Sequence, residues 1–170
     1  CLRRPPPLLA AHAAFVYGFP LDHLLPRFKF HRDLAAGRIL SAAMAARFGT
    51  LPRPDALVAV PLHRARLRQR GYDQALELAR PLARTLALPL LSGTLLRARD
   101  TAPQSELDAG ARQRNLRDAF SVAPGARLLP AHVVLVDDVM TTGATLHAAA
   151  RALRRAGVAR VDAWICARVP

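Results

Sequence analysis

Short apolar runs that end in polar residues recur along the chain and predict the strands of a buried sheet. The run 133–136 (VVLV) is continuous and mostly β-branched, which is typical of a strand buried on both faces of a parallel sheet. The run 56–60 (ALVAV) has the same character. Further strands are predicted at 13–19, at 90–91 or 94–96, at 120–122 and at 161–167.

Apolar residues at helical spacing separate these runs. Residues 34–48 predict a helix that stops at Gly49, and residues 72–86 predict another, which Pro81 could kink or divide in two. A third helix follows the run 133–136 and extends through Ala156, whereas Pro26 limits residues 21–30 to a short or broken helix. The alternation of strands and helices indicates an α/β protein with a mostly parallel sheet.

The length of 170 residues suits one α/β domain. Pro52 and Pro54 mark a loop, so we expect residues 1–54 to form an N-terminal subregion that packs on a main domain of residues 55–170. The first residue is Cys1, not Met, and we expect the chain to be part of a longer protein. No apolar run is long enough to span a bilayer, and the cysteine usage, with Cys166 in an apolar run, is typical of a reducing, cytoplasmic compartment.

The formal net charge is +13, and Lys29 is the only lysine in the sequence. Arginine clusters suit a polyphosphate or a nucleic acid. The alternative is a solvated surface that happens to be rich in arginine.

The stretch 133–145 (VVLVDDVMTTGAT) carries the most specific chemistry. Asp137 and Asp138 fall where the strand is expected to end, at the carboxyl edge at which α/β sheets bind ligands. The turn at 141–143 then offers backbone N–H groups, two hydroxyls and a helix N-terminus, which suit a phosphate. Carboxylates cannot bind a phosphate themselves, but they can accept from ribose hydroxyls, so a phosphorylated sugar satisfies both halves. The alternative, an ordinary strand and turn with solvated acids, does not explain the order of these residues.

Two arginine-rich segments accompany this stretch. The loop 61–70 follows the strand 56–60, so it lies at the same sheet edge and could hold a pyrophosphate; the alternative is an incidental basic loop. Residues 97–117 are polar, lack a period and contain five arginines, which indicates a mobile basic lid that excludes water or, alternatively, a disordered tether.

The thirteen residues 133–145 resemble the phosphoribosyl-pyrophosphate (PRPP) signature of type I phosphoribosyltransferases. The segments 60–64 (VPLHR), 70–74 (RGYDQ), 97–104 (RARDTAPQ) and 112–115, with Phe120, resemble the ComF family, the competence-protein-F-like branch of that fold. The resemblance covers roughly residues 56–168 and implies a three-layer fold with a mostly parallel central sheet, helices on both faces and a small N-terminal hood. One departure is Asp73, where the family usually has Asn; it puts any other hydrogen-bonding role of this position in doubt, although Asp could serve equally as a helix cap.

The resemblance also implies the site residues. Asp137 and Asp138 would hold the ribose hydroxyls and, with Arg97 and Arg99 on the lid, form the catalytic group. The 5′-phosphate and ribose would be bound by Asp137, Asp138, Val139, Met140, Thr141, Thr142, Gly143, Ala144 and Thr145. The pyrophosphate would be bound by Pro61, Leu62, His63, Arg64 and Arg70.

The implied reaction is displacement of pyrophosphate at the anomeric carbon of PRPP by an unidentified nitrogen acceptor. Mg²⁺ would arrive with PRPP, and no metal is assigned to direct protein ligands in this chain. Zinc would belong to an N-terminal four-cysteine ribbon of which Cys1 could be the last ligand. The alternatives are a PRPP-sensing protein without catalysis and a protein that binds single-stranded DNA together with the competence machinery. An oligomer is compatible with all three.

Overall fold

Four parallel strands form the central sheet of the computed structural model, which describes residues 6–31, 33–98, 119–125 and 129–170. The strands are β1 (Ala11–Val16), β2 (Ala56–Ala59), β3 (Leu95–Arg97), β4 (Phe120–Val122), β5 (His132–Met140) and β6 (Arg160–Arg168). The helices are α1 (Leu21–Phe30), α2 (Leu34–Phe48), α3 (Arg64–Arg70), α4 (Gln74–Thr85) and α5 (Ala144–Arg155). The central sheet has the order β1-β6-β5-β2, and β3 pairs with β4 in a separate antiparallel hairpin.

Two apolar layers cover the two faces of the sheet because side chains alternate along β5. Val133 and Leu135 pack towards α5 and the β3–β4 hairpin. Val134 and Val136 pack towards α1, α2 and α4, where Trp164 of β6 stacks on Phe48 with ring centroids 5.1 Å apart. The three-layer α/β fold with a parallel central sheet is therefore confirmed.

The N-terminal region contributes one strand of the sheet and part of the layer that α1, α2 and α4 form on it. Strand β1 pairs with β6 from Ala11↔Ala163 to Val16↔Arg168 and forms one edge of the sheet. Helices α1 and α2 bury an apolar face that includes Leu25, Phe28 and Leu40. The division of the chain at residue 54 stays a prediction.

Several predicted elements differ from those observed. The first strand begins two residues earlier than expected, and α1 continues through Pro26 because its buried face at Leu21, Leu25 and Phe28 packs along the whole helix. Helix α4 likewise continues through Pro81. The strand expected at 90–91 is a single parallel bridge, Leu57↔Leu90.

The expected continuation of the central sheet at 94–96 is wrong, since β3 pairs with β4 instead. The predicted loop at 61–70 is also wrong in part, because residues 64–70 form α3. His63 caps this helix by accepting from Ala65 N through Nδ1 at 3.3 Å, and Gly71 ends it with a φ of +83°. The basic segment is thus a short helix whose arginines project from a defined backbone.

The end of β5 also differs from the prediction, and the difference shapes the site. Strand β5 runs on to Met140, so Asp137 and Asp138 lie inside the strand and not after it. On one side Asp137 stays paired with Ile165 of β6, whereas on the other side β2 ends at Ala59, the partner of Val136. The two acids therefore extend beyond the end of β2, and the chain that leaves β2 at Pro61 begins beside them.

Candidate active site

Asp137 and Asp138 occupy different environments although they are neighbours in sequence. Asp137 is partly exposed and lines a small pocket, of about 50 Å³, together with the loop from Thr141 to Leu146. Asp138 is only 4% exposed and its Oδ2 lies 3.0 Å from Nζ of Lys29 on α1. Because successive residues of a strand face opposite sides, one acid is presented to the pocket and the other to the helix layer.

Each carboxylate is held by the next backbone N–H group. Oδ1 of Asp137 accepts from Asp138 N at 2.9 Å, and Oδ1 of Asp138 accepts from Val139 N at 2.7 Å. Desolvation by the surrounding protein raises the pKa of Asp137 well above its ordinary value, and the nearby charge of Asp138 raises it further, against a smaller opposing effect of Lys29. The pocket therefore contains a carboxyl group that favours the protonated form more than a solvated aspartate does.

The loop after β5 presents backbone N–H groups to the same pocket. Gly143 has a φ of +74°, in the left-handed region that favours glycine, and turns the chain into α5. Helix α5 begins without a side-chain cap, and the nearest polar contact is a long hydrogen bond of 3.4 Å from Ala144 N to Thr142 Oγ1. Thr141 and Thr142 are exposed. The first turn of α5 thus offers N–H groups and the positive end of its dipole to an anion.

The predicted 5′-phosphate and ribose residues do not all reach this pocket. It is lined by Asp137, Val139, Thr141, Thr142, Gly143, Ala144 and Thr145, which the prediction included, and by Leu146. Met140 is buried in the apolar layer beneath α5. Met140 therefore does not line the pocket, and neither does Asp138, which contacts Lys29.

A second, larger cavity, of about 470 Å³, lies beside the segment that follows β2. Its lining includes Pro61, Leu62 and Arg64 of the predicted pyrophosphate group and Arg97 of the predicted catalytic group. The cavity therefore brings together residues from two segments that the sequence places more than thirty positions apart.

Arg70, the remaining predicted pyrophosphate arginine, is fixed at the end of α3. Its Nη1 donates to Gln74 Oε1 at 2.6 Å, and its guanidinium lies 5.2 Å from the ring centroid of Phe30 on α1. Arg97 belongs to β3 and not to a lid, and its guanidinium lies 5.4 Å from the ring centroid of Phe120. The rest of the predicted lid, including Arg99, falls outside the described residues.

Asp73 has two roles, one of which the sequence suggested. Its Oδ1 accepts from Leu76 N at 3.1 Å, which confirms that Asp73 caps α4. Its Oδ2 accepts from Leu62 N at 2.9 Å. Burial raises the pKa of Asp73, and these backbone hydrogen bonds oppose the rise. Asp73 therefore makes a second hydrogen bond in addition to the cap, although the replacement of the family's usual Asn had put such a bond in doubt. This second bond links α4 to the segment after β2.

Lys29 is the site residue that sequence reasoning missed. It lies in α1, more than one hundred positions from Asp138, and no motif surrounds it. The sequence offered one signal, which is that Lys29 is the single lysine among 25 lysine and arginine residues.

The donors around the small pocket are compatible with Mg²⁺, the cation that the resemblance implies. Mg²⁺ prefers oxygen ligands and is often held by one or two carboxylates plus substrate phosphates. The pocket offers the carboxylate of Asp137 and the hydroxyls of Thr141 and Thr142. Within the described ranges no three His, Cys, Asp or Glu side chains form a metal-binding group. The donors fit an Mg²⁺ whose other ligands are substrate oxygens.

Comparisons with known proteins agree with the geometry. Residues 73–170 match the family described as "Phosphoribosyl transferase domain". The chain is 40% identical to "DNA utilization protein YhgH" of Salmonella typhi, over 99% of this chain and 76% of the relative. It is 40% identical to "Competence protein F" of Haemophilus influenzae over 88% of this chain and 68% of the relative.

A more distant relative, "Competence protein ComFC" of Bacillus subtilis, is 30% identical over 86% of this chain and 59% of the relative. None of the helices that the structure describes has the length and apolar character needed to cross a bilayer.

Proposed function

The chain belongs to the ComF family of phosphoribosyltransferase-like proteins, and we propose that it binds PRPP with Mg²⁺ and transfers phosphoribose to a nitrogen acceptor, with release of pyrophosphate. The observation that carries this proposal is the pocket at the end of β5, where the carboxylate of Asp137 and the loop Thr141–Thr145 face the same space. The hydroxyls of a ribose 5-phosphate could donate to the Asp137 carboxylate, and its phosphate dianion could accept from the loop.

The protein's contribution to the reaction is binding and electrostatic stabilisation. A bond forms from the acceptor nitrogen to the anomeric carbon, and the bond from that carbon to the pyrophosphate oxygen breaks. Negative charge grows on the leaving group, so cationic side chains such as Arg64 and Arg97 beside the larger cavity would stabilise it. Bound Mg²⁺ would supply further positive charge at the pyrophosphate oxygens.

On the ribose side, positive charge develops on the ring as the pyrophosphate leaves. Asp137 would accept from a ribose hydroxyl, and the negative charge of the acid pair would favour the oxocarbenium-like ring. No covalent protein nucleophile is needed. The N–H groups at the start of α5 would fix the 5′-phosphate and so limit the orientations of the ribose.

Thermal unfolding with and without PRPP and Mg²⁺ tests the binding half of the proposal. PRPP should raise the melting temperature of the parent protein, and Asp137→Asn should remove the rise. Asp55→Asn is a matched control, because Asp55 is an aspartate at the opposite end of the sheet, where it accepts from His132 N at 2.8 Å. A parent protein whose melting temperature does not respond to PRPP would refute PRPP binding.

Turnover needs a separate measurement. Pyrophosphate release from PRPP across a panel of nitrogenous bases should exceed the blank for at least one acceptor. Binding of PRPP without release across the panel would favour the alternative of a PRPP-sensing protein.

A second candidate function is binding of single-stranded DNA. It is favoured by the net charge of +13, by the arginines of α3, of which Arg64 and Arg68 are exposed, and by relatives named for DNA utilization and competence. Binding should then weaken steeply with salt, with a slope that counts the phosphates engaged. Replacing Arg66, Arg68 and Arg70 by Gln should reduce that slope, and binding unaffected by these changes would count against this function.

A further inference from the structure

Lys29 extends from the layer of α1 to the end of β5, where it meets a buried acid. Its Nζ lies 3.0 Å from Asp138 Oδ2, and the side chains of Lys29 and Asp138 are 28% and 5% exposed. Oδ1 of the same carboxylate accepts from Val139 N, whereas Oδ2 receives no well-oriented hydrogen bond from the described residues. Among the described residues, the cation that faces Oδ2 is therefore Lys29.

The surroundings of Asp138 make this cation important. The charge of Asp138 acts on three neighbouring titratable groups and raises the pKa of each: Asp137 on β5, Asp73 at the start of α4 and Cys166 on β6. Two of the three are acids and the third is a buried thiol. A buried carboxylate next to further acids is costly unless a cation compensates it, and removal of one partner from such a pair leaves an uncompensated charge.

Residues on either side of Lys29 contact the rest of the candidate site. Phe28 packs on Tyr72, with ring centroids 5.9 Å apart, and Phe30 lies under the guanidinium of Arg70. Three successive residues at the end of α1 thus contact the end of α3, the residue before the cap of α4, and β5. The end of α1 is held where a shift of Lys29 would also move the arginine-rich segment.

We propose that Lys29 is a positioning residue of the substrate site, which holds the buried Asp138 carboxylate in place, so that the adjoining Asp137 faces the PRPP pocket. Lys29 acts through Asp138, and the inference rests on the proposed PRPP binding. In this arrangement Asp138 is held at the end of β5 by Lys29, and Asp137 makes the contact with ribose.

Calorimetric titration of PRPP in the presence of Mg²⁺ tests the inference with five variants: Lys29→Met, Lys29→Arg, Asp138→Asn, the double variant Lys29→Met/Asp138→Asn, and Arg27→Met. Arg27 is the matched control because it is a cation on the same helix whose ion pair, with Asp33 at 2.9 Å, is largely exposed. The melting temperature of each variant without ligand shows whether it is folded.

Lys29→Met should weaken PRPP binding about tenfold, whereas Lys29→Arg should keep affinity within about threefold of the parent, since its charge is retained. In the Asp138→Asn background, Lys29→Met should have a smaller effect than in the parent, because the buried charge that it compensates is gone. Arg27→Met should bind as the parent does.

Rescue by Lys29→Arg is the readout that a loss of packing alone would not give, because a guanidinium restores a positive charge near Asp138 Oδ2 without restoring the shape of the lysine side chain.

The possible failures are distinct. A parent protein that does not bind PRPP overturns the proposed function and this inference together. Two results would overturn the inference alone, in a parent protein that binds PRPP. Either Lys29→Met binds PRPP as well as the parent does, or the effects of Lys29→Met and Asp138→Asn on affinity are additive. If Lys29→Met does not fold, the affinities of Lys29→Arg and of the double variant decide the question. Affinity near that of the parent in Lys29→Arg, together with weaker binding in the double variant, supports the inference; any other result overturns it.

Discussion

Asp137 and Asp138 differ in what surrounds them, and this difference governs what each can do. The carboxylate of Asp138 is compensated by Lys29, whereas Asp137 has a raised pKa because it is desolvated beside a second acid. Pairs of acids whose environments differ in this way commonly divide the work of a site. Here Asp137 is partly exposed and lines the pocket, whereas Asp138 is buried and faces Lys29.

The raised pKa of Asp137 predicts an effect on stability. A carboxyl whose pKa is higher in the folded state binds protons more tightly when folded, so stability falls as the pH rises from the unfolded pKa through the folded one. Asp137→Asn removes this cost and can still accept from Asp138 N. The ligand-free variant should therefore melt above the parent at neutral pH, by roughly 2–4 °C for each kcal/mol gained.

Melting curves of the two proteins between about pH 5 and about pH 8 check this prediction, and the difference should grow with pH. The same variant should have lost the response to PRPP. An Asp137→Asn protein that melts below the parent at neutral pH would show that the fold stabilises the ionised carboxylate, which is the opposite of what a raised pKa requires.

At the residue scale, the sequence identified the chemistry of the pocket but not the different surroundings of Asp137 and Asp138. The order of Asp137, Asp138 and the Thr-Gly loop is local, so the sequence alone reveals it. The contact of Asp138 with Lys29 depends on where α1 packs, and no local pattern encodes it. Asp73 is an intermediate case, since its capping role is local and its bond to Leu62 is not.

Asp73 links two elements, and its replacement separates two effects. Asp73→Ala removes the cap of α4 and should destabilise the protein by about 1 kcal/mol, within the usual range of roughly 0.5–2 kcal/mol. Asn has one acceptor oxygen, so Asp73→Asn can keep the cap and must release Leu62 N. Thermal unfolding should therefore place Asp73→Asn between the parent and Asp73→Ala.

Asp73→Asn should also tighten PRPP binding several-fold, because it removes a negative charge beside the predicted pyrophosphate segment and frees a backbone donor there. Calorimetry on the three proteins measures this effect. Weaker binding by Asp73→Asn would indicate that Asp73 serves the site by holding Leu62 in place.

Helices α1 and α2 meet at a glycine that has no space for a side chain. A Cβ on Gly37 would lie 2.5 Å from Cε2 of Phe28, whose ring is fully buried. Gly37→Ala gains about 1 kcal/mol of helix propensity, but the overlap typically costs about 1–3 kcal/mol. We expect a net loss of roughly 1 kcal/mol in the free energy of unfolding.

Gly18→Ala is the matched control for Gly37→Ala, because a Cβ there has nothing within 4 Å. Denaturant unfolding of both variants should show a loss for Gly37→Ala and a change of a few tenths of a kcal/mol for Gly18→Ala. Equal stability of Gly37→Ala and the parent would mean that the two helices can separate freely.

Among the elements, those with strong apolar periodicity were predicted best. The helix at 34–48 is confirmed over its whole length, and its apolar face buries Leu40, Met44 and Phe48, whereas Leu34 and Ile39 are exposed. Helix α3 has seven residues, none of them buried, so it carries no apolar period and a loop was predicted in its place. Its capping by His63 and its stop at Gly71 are clear only once the backbone is known.

For the molecule as a whole, the parallel sheet and its two covering layers followed from the alternation of apolar runs and helices. The separate β3–β4 hairpin did not, because pairing of Leu95–Arg97 with Phe120–Val122 crosses a long segment of no clear pattern. The sequence likewise does not show which strands form the two edges of the central sheet, because their pairing is between residues far apart in the chain. Cys166, predicted as a core thiol, is buried on β6, and burial raises its pKa to about 12.

The distribution of charge also belongs to this scale. The net charge of +13 suits an anionic ligand, yet it does not distinguish a small polyphosphate from a nucleic acid. The pocket distinguishes them better, because an acid side chain beside a phosphate loop suits the hydroxyls and the phosphate of a phosphorylated sugar. The proposed function of the whole molecule therefore depends first on PRPP binding.

PRPP binding is measured by calorimetric titration of the parent protein with PRPP and Mg²⁺, beside Asp137→Asn. We expect saturable binding with about one PRPP per chain in the parent and a loss of at least about tenfold in affinity in the variant. Absence of binding in the parent, or equal affinity in the two proteins, would show that the pocket at the end of β5 is not a PRPP site.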